Sequence, residues 1–175
     1  MTMFYYIGAN HPLPIGNYGE KYTLKKLKDI PKPSDPNDLR NILDLSHLEN
    51  EWTKVYETEL DFAFVTIMEV RDAVLKEKLP MNKSYIYELG GSFHLNEADK
   101  INHFTSNQAN EKCVKELLSY VKRELKEGES IEVYSCWADE EDWPIREEET
   151  INLSAFNLGK TFEIEERKLI RFVLE

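Results

Sequence analysis

One stretch of sequence, residues 108–127, constrains the fold of this chain more than any other. Its apolar residues recur every three or four positions, and they are Cys113, Val114, Leu117, Leu118, Val121 and Leu125. This spacing predicts a helix with one apolar face, which must pack against another layer of the protein. Thr105 or Asn107 is a candidate N-cap, and Gly128 follows the last turn, where glycine commonly ends a helix.

Alternation of apolar and polar residues predicts that the other layer is a β-sheet. The segments with strand character are MFYYI at 3–7, a weaker one at 22–27, SIEVYSCW at 130–137, INLSAF at 151–156, KTFEI at 160–164 and LIRFVL at 169–174. We expect the segments after the helix to follow one another as a meander. The predicted fold class is α+β, an antiparallel sheet with one long amphipathic helix packed on a face.

Residues 52–79 contain neither glycine nor proline, and their pattern fits two structures. Aromatic and aliphatic side chains recur there both at every second and at every fourth position, so residues 52–68 suit either a strand or a helix. Because β-branched and aromatic residues dominate the first part, we predict a strand as far as Met68. A helix over residues 69–78 should follow, with Val70 and Val74 facing inward.

The segment SYIYELGGSFHLNE, residues 84–97, carries the strongest local signal for a hairpin. Two alternating stretches flank Gly90 and Gly91, a pair that suits a two-residue turn in which both positions need positive φ. The resulting register places Tyr87 opposite His94, with Glu88 beside them. These three residues form a candidate pocket for a small ligand or substrate.

Proline interrupts the chain over residues 30–38, IPKPSDPND, where three prolines fall within six residues. Such a segment cannot form regular hydrogen-bonded structure, and we interpret it as a surface connection that ends at Asp38, a candidate N-cap for a short helix. The connection is too short to separate domains. A length of 175 residues suits one domain, so we predict a single globular domain over residues 1–175.

Charge is unevenly distributed. The chain carries 33 acidic and 22 basic residues, a net charge of −11, and the segment 138–150 alone contains seven acids and one base, a net −6. A field of this sign repels the phosphates of nucleic acids and anionic lipids, and it attracts basic proteins. We therefore expect a basic protein as partner, with no nucleic acid and no membrane.

The compartment follows from what the sequence lacks. The first residues show no basic segment before an apolar core, and no apolar run approaches the length that spans a bilayer. Cys113 and Cys136 stand alone, without the density of a secreted disulfide framework. We expect both thiols to be reduced and buried, and the protein to be cytoplasmic.

The predicted acidic loop over residues 138–150 admits several interpretations. A calcium loop of the EF-hand type that starts at Asp139 fails, because Pro144 replaces the required glycine and Thr150 replaces the final glutamate. Acid–base catalysis needs two carboxyl groups in different surroundings, which adjacent acids in a polar loop do not offer. Non-standard cation binding, a solvated connector that keeps the protein soluble, and a surface that recognises a basic protein remain open.

Tryptophan favours the recognition surface. Trp143 lies between Asp142 and Pro144 and should be exposed, whereas Trp137 ends a strand and should contribute to the core. Tryptophan anchors many protein interfaces, and surrounding acids would steer a basic partner. The predicted partner-binding residues are Asp139, Glu140, Glu141, Asp142 and Trp143.

Other chemistry finds little support in the sequence. The histidines, His11, His47, His94 and His103, have no zinc-site spacing with one another or with a cysteine. The glycine-rich stretch over 7–21 matches neither GxGxxG nor GxxxxGK[ST]. We predict no metal, no cofactor and no catalytic residue, and we lean against an enzyme.

The function predicted from these observations is that of a non-enzymatic cytosolic binding protein whose acidic surface docks a basic protein. Its most concrete form is an immunity-like or antitoxin-like protein that occludes the cationic cleft of a nuclease-type toxin. The alternative is a small enzyme or small-molecule-binding domain whose pocket lies near the hairpin of residues 84–97.

Overall fold

A computed structural model describes residues 2–100 and 104–175. The strands are β1 (Met3–Ala9), β2 (Gly16–Tyr18), β3 (Thr23–Lys26), β4 (Trp52–Val55), β5 (Val65–Glu69), β6 (Tyr85–Gly90), β7 (His94–Asn96), β8 (Ile131–Trp137), β9 (Glu147–Asn152), β10 (Thr161–Glu163) and β11 (Lys168–Val173). The α-helices are α1 (Leu39–Ile42), α2 (Glu59–Phe62), α3 (Ala73–Lys78) and α4 (Phe104–Glu124). Short 3-10 helices cover Leu27–Asp29, Ser46–Leu48 and Glu97–Lys100.

Seven strands form one large sheet in the order β2-β5-β6-β1-β8-β11-β9. Every neighbouring pair is antiparallel except β11 and β9, which run parallel. Helix α4 packs on one face, where Leu117 and Val121 meet Ile7, Val133 and Ile170 in a fully buried cluster. The predicted fold class, an antiparallel-dominated sheet with one long helix on a face, is confirmed.

The opposite face of the sheet carries a second, smaller core. Tyr6, Tyr134 and Leu169 are neighbours across three strands and are buried there with Cys136. Because successive residues of a strand point to opposite faces, this cluster lies on the side away from α4. The acidic segment after β8 therefore begins beside an apolar layer.

The chain divides into two compact units, Met1–Glu20 with Ala63–Glu175, and Lys21–Phe62. The first contains the seven-stranded sheet, α4 and the pair β7 and β10. The second contains the two-stranded ribbon of β3 and β4. No residue of this second unit is buried. The single globular domain expected for the whole chain stays a prediction.

Residues 30–38 lie in the second unit without helix or strand, as the three prolines predict. Asp38 caps α1 as expected, because its side chain accepts a hydrogen bond of 2.9 Å from the backbone N–H of Arg40.

The prediction for residues 52–78 is wrong in its boundaries. The predicted strand is broken by α2, where the Thr58 hydroxyl and the Asp61 carboxylate exchange hydrogen bonds with each other's backbone N–H groups. The following helix begins at Ala73, not at residue 69, because Asp72 caps it by accepting from Val74 and Leu75. Val70 is buried as expected, but Val74 is exposed.

The predicted hairpin over residues 84–97 does not form. Strand β6 has both edges occupied, by β1 and β5, so β7 pairs with β10 instead. Positive φ occurs at Gly91 (149°) and not at Gly90. A Cβ at Gly91 would lie 2.7 Å from the ring of Phe93, which is buried edge-on to Tyr5 at 5.1 Å between centroids. Burial of Phe93 turns the chain out of the sheet.

The predicted meander after α4 is wrong as well. β8 pairs with β11, β11 then pairs in parallel with β9, and β10 leaves this sheet to pair with β7. The helix itself is confirmed, although it starts earlier than residue 108, so that Thr105 and Asn107 lie inside it. Residues 101–103, including His103, lie outside the described part of the chain. Gly128 has positive φ (75°), as expected beyond the helix end.

Candidate protein-binding surface

The acidic segment is not a loop throughout. It leaves β8 at Ala138, whose N–H donates to the carbonyl of Thr2, and the predicted loop over 138–150 ends at Arg146 because β9 begins at the next residue. We use the name acidic loop below for residues 138–146. The loop turns at Asp139, which has positive φ (69°), a conformation that Asp tolerates better than most residues.

Two backbone hydrogen bonds shape the acidic loop. The N–H of Glu140 donates to the carbonyl of Trp137, and the N–H of Trp143 donates to the carbonyl of Glu140. Consecutive turns of this kind place Asp139 and Asp142 outward, where they are exposed, and leave Glu140 and Glu141 partly buried. The loop therefore has a defined backbone that presents its carboxylates in a fixed order.

The four carboxylates of residues 139–142 take part in none of the ion pairs among the described residues. Oxygen Oε2 of Glu140 is buried without a hydrogen-bond partner in the described part of the chain. Carboxylates that crowd together without cations repel one another and favour any cation that approaches. This part of the loop is thus a source of uncompensated negative charge.

Trp143 extends from the acidic loop with 46% of its surface exposed, as the sequence predicts. The guanidinium of Arg167 lies 5.3 Å from the centre of its ring, within the range of a cation–π contact. Arg167 also pairs with Glu166 at 3.2 Å. A ring held on one side and open to solvent on the other has little conformational freedom left to lose on binding. Trp137, by contrast, is partly buried.

The second acidic stretch, residues 147–149, lies in edge strand β9 and is paired. The ammonium of Lys168 lies 3.1 Å from Glu147 and 2.8 Å from Glu149. Burial by itself would lower the pKa of Lys168, but the hydrogen bonds that its ammonium donates to Glu149 and Glu147 outweigh burial, so that the pKa is raised. Glu148 lies 3.8 Å from Arg171. The charge of these acids is largely compensated within the protein.

The layer beneath the acidic loop holds three groups that resist ionisation. Burial raises the pKa of the Cys136 thiol to about 12, with smaller contributions from Glu141 and Glu140. Burial, then the neighbouring Cys136, raises the pKa of Tyr134 to about 12. Burial is also the main cause that raises the pKa of Tyr6. A thiol that stays protonated near neutral pH is a poor nucleophile.

Cys113 behaves in the same way. Burial raises its pKa, and its thiol contacts the carbonyl of Phe64 at 3.6 Å. Both cysteines are free and buried, as the sequence predicts.

The structure does not bring together Tyr87, Glu88 and His94. Tyr87 faces the α4 side, where its hydroxyl accepts a hydrogen bond of 3.1 Å from the N–H of Leu13, while Glu88 is opposite Tyr6 and faces the other side. His94 belongs to β7, and its Nδ1 lies 3.0 Å from Glu163. These three residues therefore do not line one pocket, because the hairpin is not formed, and a ligand or substrate site near residues 84–97 stays a prediction.

His94 instead borders an open groove of about 430 Å³ between β7, β10 and β9. Its polar wall includes Glu149, Glu163, Glu165 and Lys168. Two of its carboxylates are already paired, Glu163 with His94 and Glu149 with Lys168. Among the described residues that line the groove, these pairs leave Glu165 as the one carboxylate without an ion pair.

The described part of the chain contains no group of three or more His, Cys, Asp or Glu residues placed to hold a metal ion. His11 pairs with Glu129 at 2.8 Å, and His47 lies in a short 3-10 helix.

Two residues of this surface, Arg167 and Lys168, are not predicted from the sequence. Arg167 lies in the connection between β10 and β11, Lys168 is the first residue of β11, and both reach the acidic segment only because β11 lies beside β9. The run EERK, residues 165–168, places two acids before two bases, and a solvent-exposed turn often has the same composition. Nothing in the local sequence therefore predicts that Arg167 and Lys168 contact the acidic segment.

Comparison with protein-family models, with curated proteins and with solved structures yields no match to this chain. Among the helices of residues 2–100 and 104–175, none combines the length and apolar character needed to cross a bilayer.

Proposed function

We propose that the protein is a non-enzymatic binding protein whose acidic loop docks a basic protein. One observation supports this proposal above others: four consecutive carboxylates, which have no ion-pair partner within the described part of the chain, adjoin a half-exposed tryptophan whose ring Arg167 contacts. In such a surface the acids steer and orient a cationic partner, and the aromatic ring contributes the desolvated contact. Association requires no chemistry, and the mechanism is occlusion of the partner's surface.

The most concrete partner is a nuclease-type toxin. A nuclease binds phosphates with a cationic cleft, and an acidic protein that fits this cleft blocks access of the nucleic acid. The proposal includes a cytoplasmic location, which two buried free cysteines support, because reducing compartments keep thiols unpaired.

The experiment captures partners from a lysate of the source organism at low and at physiological ionic strength. Three proteins are immobilised: the wild type, the loop variant D139N/E140Q/E141Q/D142N, and the control variant E49Q/E51Q/E57Q/E59Q. The control removes the same four charges from exposed positions outside the acidic loop. Circular dichroism and thermal melting establish that all three are folded.

A basic protein retained by the wild type and the control, and lost from the loop variant, is the expected result. If that protein is a nuclease, the wild type should inhibit it in a one-to-one ratio. An equal loss of the partner from both variants would show that only net charge matters, and retention by the loop variant at the wild-type level would show that the loop acids are not used; either result would contradict docking at the acidic loop.

A further inference from the structure

The second compact unit, Lys21–Phe62, has an unusual distribution of apolar surface. None of its residues is buried, although it contains eight large exposed apolar side chains. They are Tyr22, Leu24, Leu39, Ile42, Leu43, Leu48, Trp52 and Phe62. Its only sheet among the described residues is the two-stranded ribbon of β3 and β4. A ribbon of two strands is marginally stable in water, and a third strand or another apolar layer stabilises it.

The outer edge of β3 can accept such a strand. The N–H of Leu27 donates to the carbonyl of Glu51 across the ribbon, and the register pairs Lys26 with Trp52. Alternation in an antiparallel ladder then directs the N–H and C=O groups of Leu24 and Lys26 to the outer edge. That edge pairs with no strand of the described chain. Unpaired edges of this kind bind extended peptides by strand addition.

Charge indicates what kind of segment fits. Residues 21–28, KYTLKKLK, carry four lysines and no acid in a chain whose net charge is −11. Residues 21 and 22 lead into β3, and along the segment Lys21, Thr23 and Lys25 alternate with Tyr22, Leu24 and Lys26, whose ammonium lies over the Trp52 ring. A partner strand with alternating acidic and apolar side chains would therefore match both faces at once.

The apolar face is ordered by contacts within the ribbon. The ammonium of Lys54 lies 4.3 Å from the centre of the Tyr22 ring, and the ammonium of Lys26 lies 5.7 Å from that of Trp52. Tyr56 meets Tyr22 edge-on at 6.5 Å between ring centres. A lysine ammonium therefore covers one side of each of the two rings, Tyr22 and Trp52.

A second copy of the chain is a poor occupant of this edge. Edge-to-edge pairing of two β3 strands would bring the lysines of residues 21–28 of one copy beside those of the other, and like charges directly across a ladder destabilise it. Charge complementarity instead favours a partner from outside this chain.

We propose that the outer edge of β3 binds an extended acidic segment of a partner protein by strand addition, with acidic residues beside Lys21 and Lys25 and apolar residues beside Tyr22 and Leu24. This surface is independent of the acidic loop and of the basic partner proposed for it. It would give the protein a second interaction of opposite charge preference.

The experiment uses the full chain and a fluorescein-labelled peptide, EVEVEVE, in fluorescence anisotropy at low salt. Three probes serve as comparisons. EEVVVEE has the same composition without alternation, EVEPEVE keeps the charge but lacks the central N–H, and the oligonucleotide dT7 tests nucleic acid. The chain variants are K21Q/K25Q and the control K76Q/K78Q, which removes two exposed charges from α3.

Binding of EVEVEVE should weaken by about fivefold or more in K21Q/K25Q and for both altered peptides, and K76Q/K78Q should retain wild-type affinity. Hydrogen exchange at the N–H groups of Leu24 and Lys26 should slow when EVEVEVE is bound. If EVEPEVE binds as tightly as EVEVEVE, or if no peptide binds, the proposal is overturned. The lysines would then serve to prevent pairing of the edge strand with other chains. Tighter binding of dT7 with the same dependence on Lys21 and Lys25 would overturn it in favour of nucleic acid.

Discussion

The acidic residues on the two sides of Trp143 differ in what lies beside them. Residues 139–142 have no ion-pair partner among the described residues, whereas Glu147 and Glu149 hold the ammonium of Lys168 between them. The two groups look alike in the sequence, since both are short runs of acids. The number of acids in a run therefore does not determine the electrostatic field outside the protein, because residues of the neighbouring strand determine which carboxylates are paired.

The largest expected difference concerns Lys168 itself. Lys168→Ala removes the shared partner of Glu147 and Glu149, leaves two carboxylates side by side, and should lower the free energy of unfolding by about 2 kcal/mol. Urea denaturation measures the change. Lys115→Ala, which removes an exposed pair with Glu111 on α4, is the control and should cost less than about 0.5 kcal/mol. Equal losses in the two variants would show that the Lys168 cluster is no more than a surface contact.

Neutralising the two groups of acids should affect stability differently. E147Q/E149Q weakens charge-assisted hydrogen bonds to Lys168 and should lower the free energy of unfolding by about 1 kcal/mol. D139N/D142N relieves repulsion and should leave it unchanged or raise it by less than about 0.5 kcal/mol. Thermal melting at low salt distinguishes them. A loss in D139N/D142N as large as in E147Q/E149Q would mean that the loop carboxylates have stabilising partners after all.

Alkaline pH should expose the effect of the buried layer beneath the acidic loop. Cys136 stays protonated in the folded protein up to a pKa of about 12, while the unfolded thiol loses its proton near 9.0. Between these values the folded state binds more protons, so stability is present below pH 9 and falls as the pH rises. The contribution is at most about 1.4 kcal/mol per pH unit.

Cys136→Ala should have a flatter dependence of unfolding free energy on pH in this range than the wild type, whatever its stability at pH 7. Denaturant titrations between pH 8.5 and about 10.5 measure the slope. Identical slopes in both proteins would show that the folded-state thiol ionises like the unfolded one.

The smallest expected effect is electrostatic and links the loop to the layer beneath it. Because burial is the main cause of the raised thiol pKa and Glu141 and Glu140 add less, E140Q/E141Q should lower the pKa of Cys136 by less than about 0.5. Thiolate absorbance against pH, in a Cys113→Ala background, measures it. E147Q/E149Q is the matched control. A larger lowering of the Cys136 pKa in this variant than in E140Q/E141Q would contradict the expectation.

The sequence predicts those parts of the fold that depend on local pattern. The spacing of the apolar residues predicts the buried face of α4, and the aromatic and β-branched residues of β1 and β8 predict these two strands. Pairing between distant strands is different, because β6 offers the same alternation whether its neighbour is β7 or β5. The segment GGSF, residues 90–93, contains nothing to show that the Phe93 ring packs edge-on to Tyr5 instead of continuing a hairpin.

The same limit applies to the candidate surface. Exposure of Trp143 was predictable, because flanking Asp142 and Pro144 disfavour a strand there. Pairing of the Glu147 and Glu149 charges with Lys168 was not predictable. It requires the parallel pairing of β9 with β11, which are not consecutive strands in the chain. Local spacing gives the side on which a residue lies, and only the strand order gives its partner.

The proposed basic partner should be steered by the carboxylates of residues 139–142 and held by Trp143. Stopped-flow or surface-based kinetics of the captured partner, over a range of ionic strength, separates steering by residues 139–142 from anchoring by Trp143. The loop variant D139N/E140Q/E141Q/D142N should associate about tenfold more slowly at low salt and lose most of the salt dependence, while Trp143→Ala should mainly accelerate dissociation. If E147Q/E149Q slows association as much as the loop variant does, the unpaired carboxylates have no special role and the central claim is contradicted.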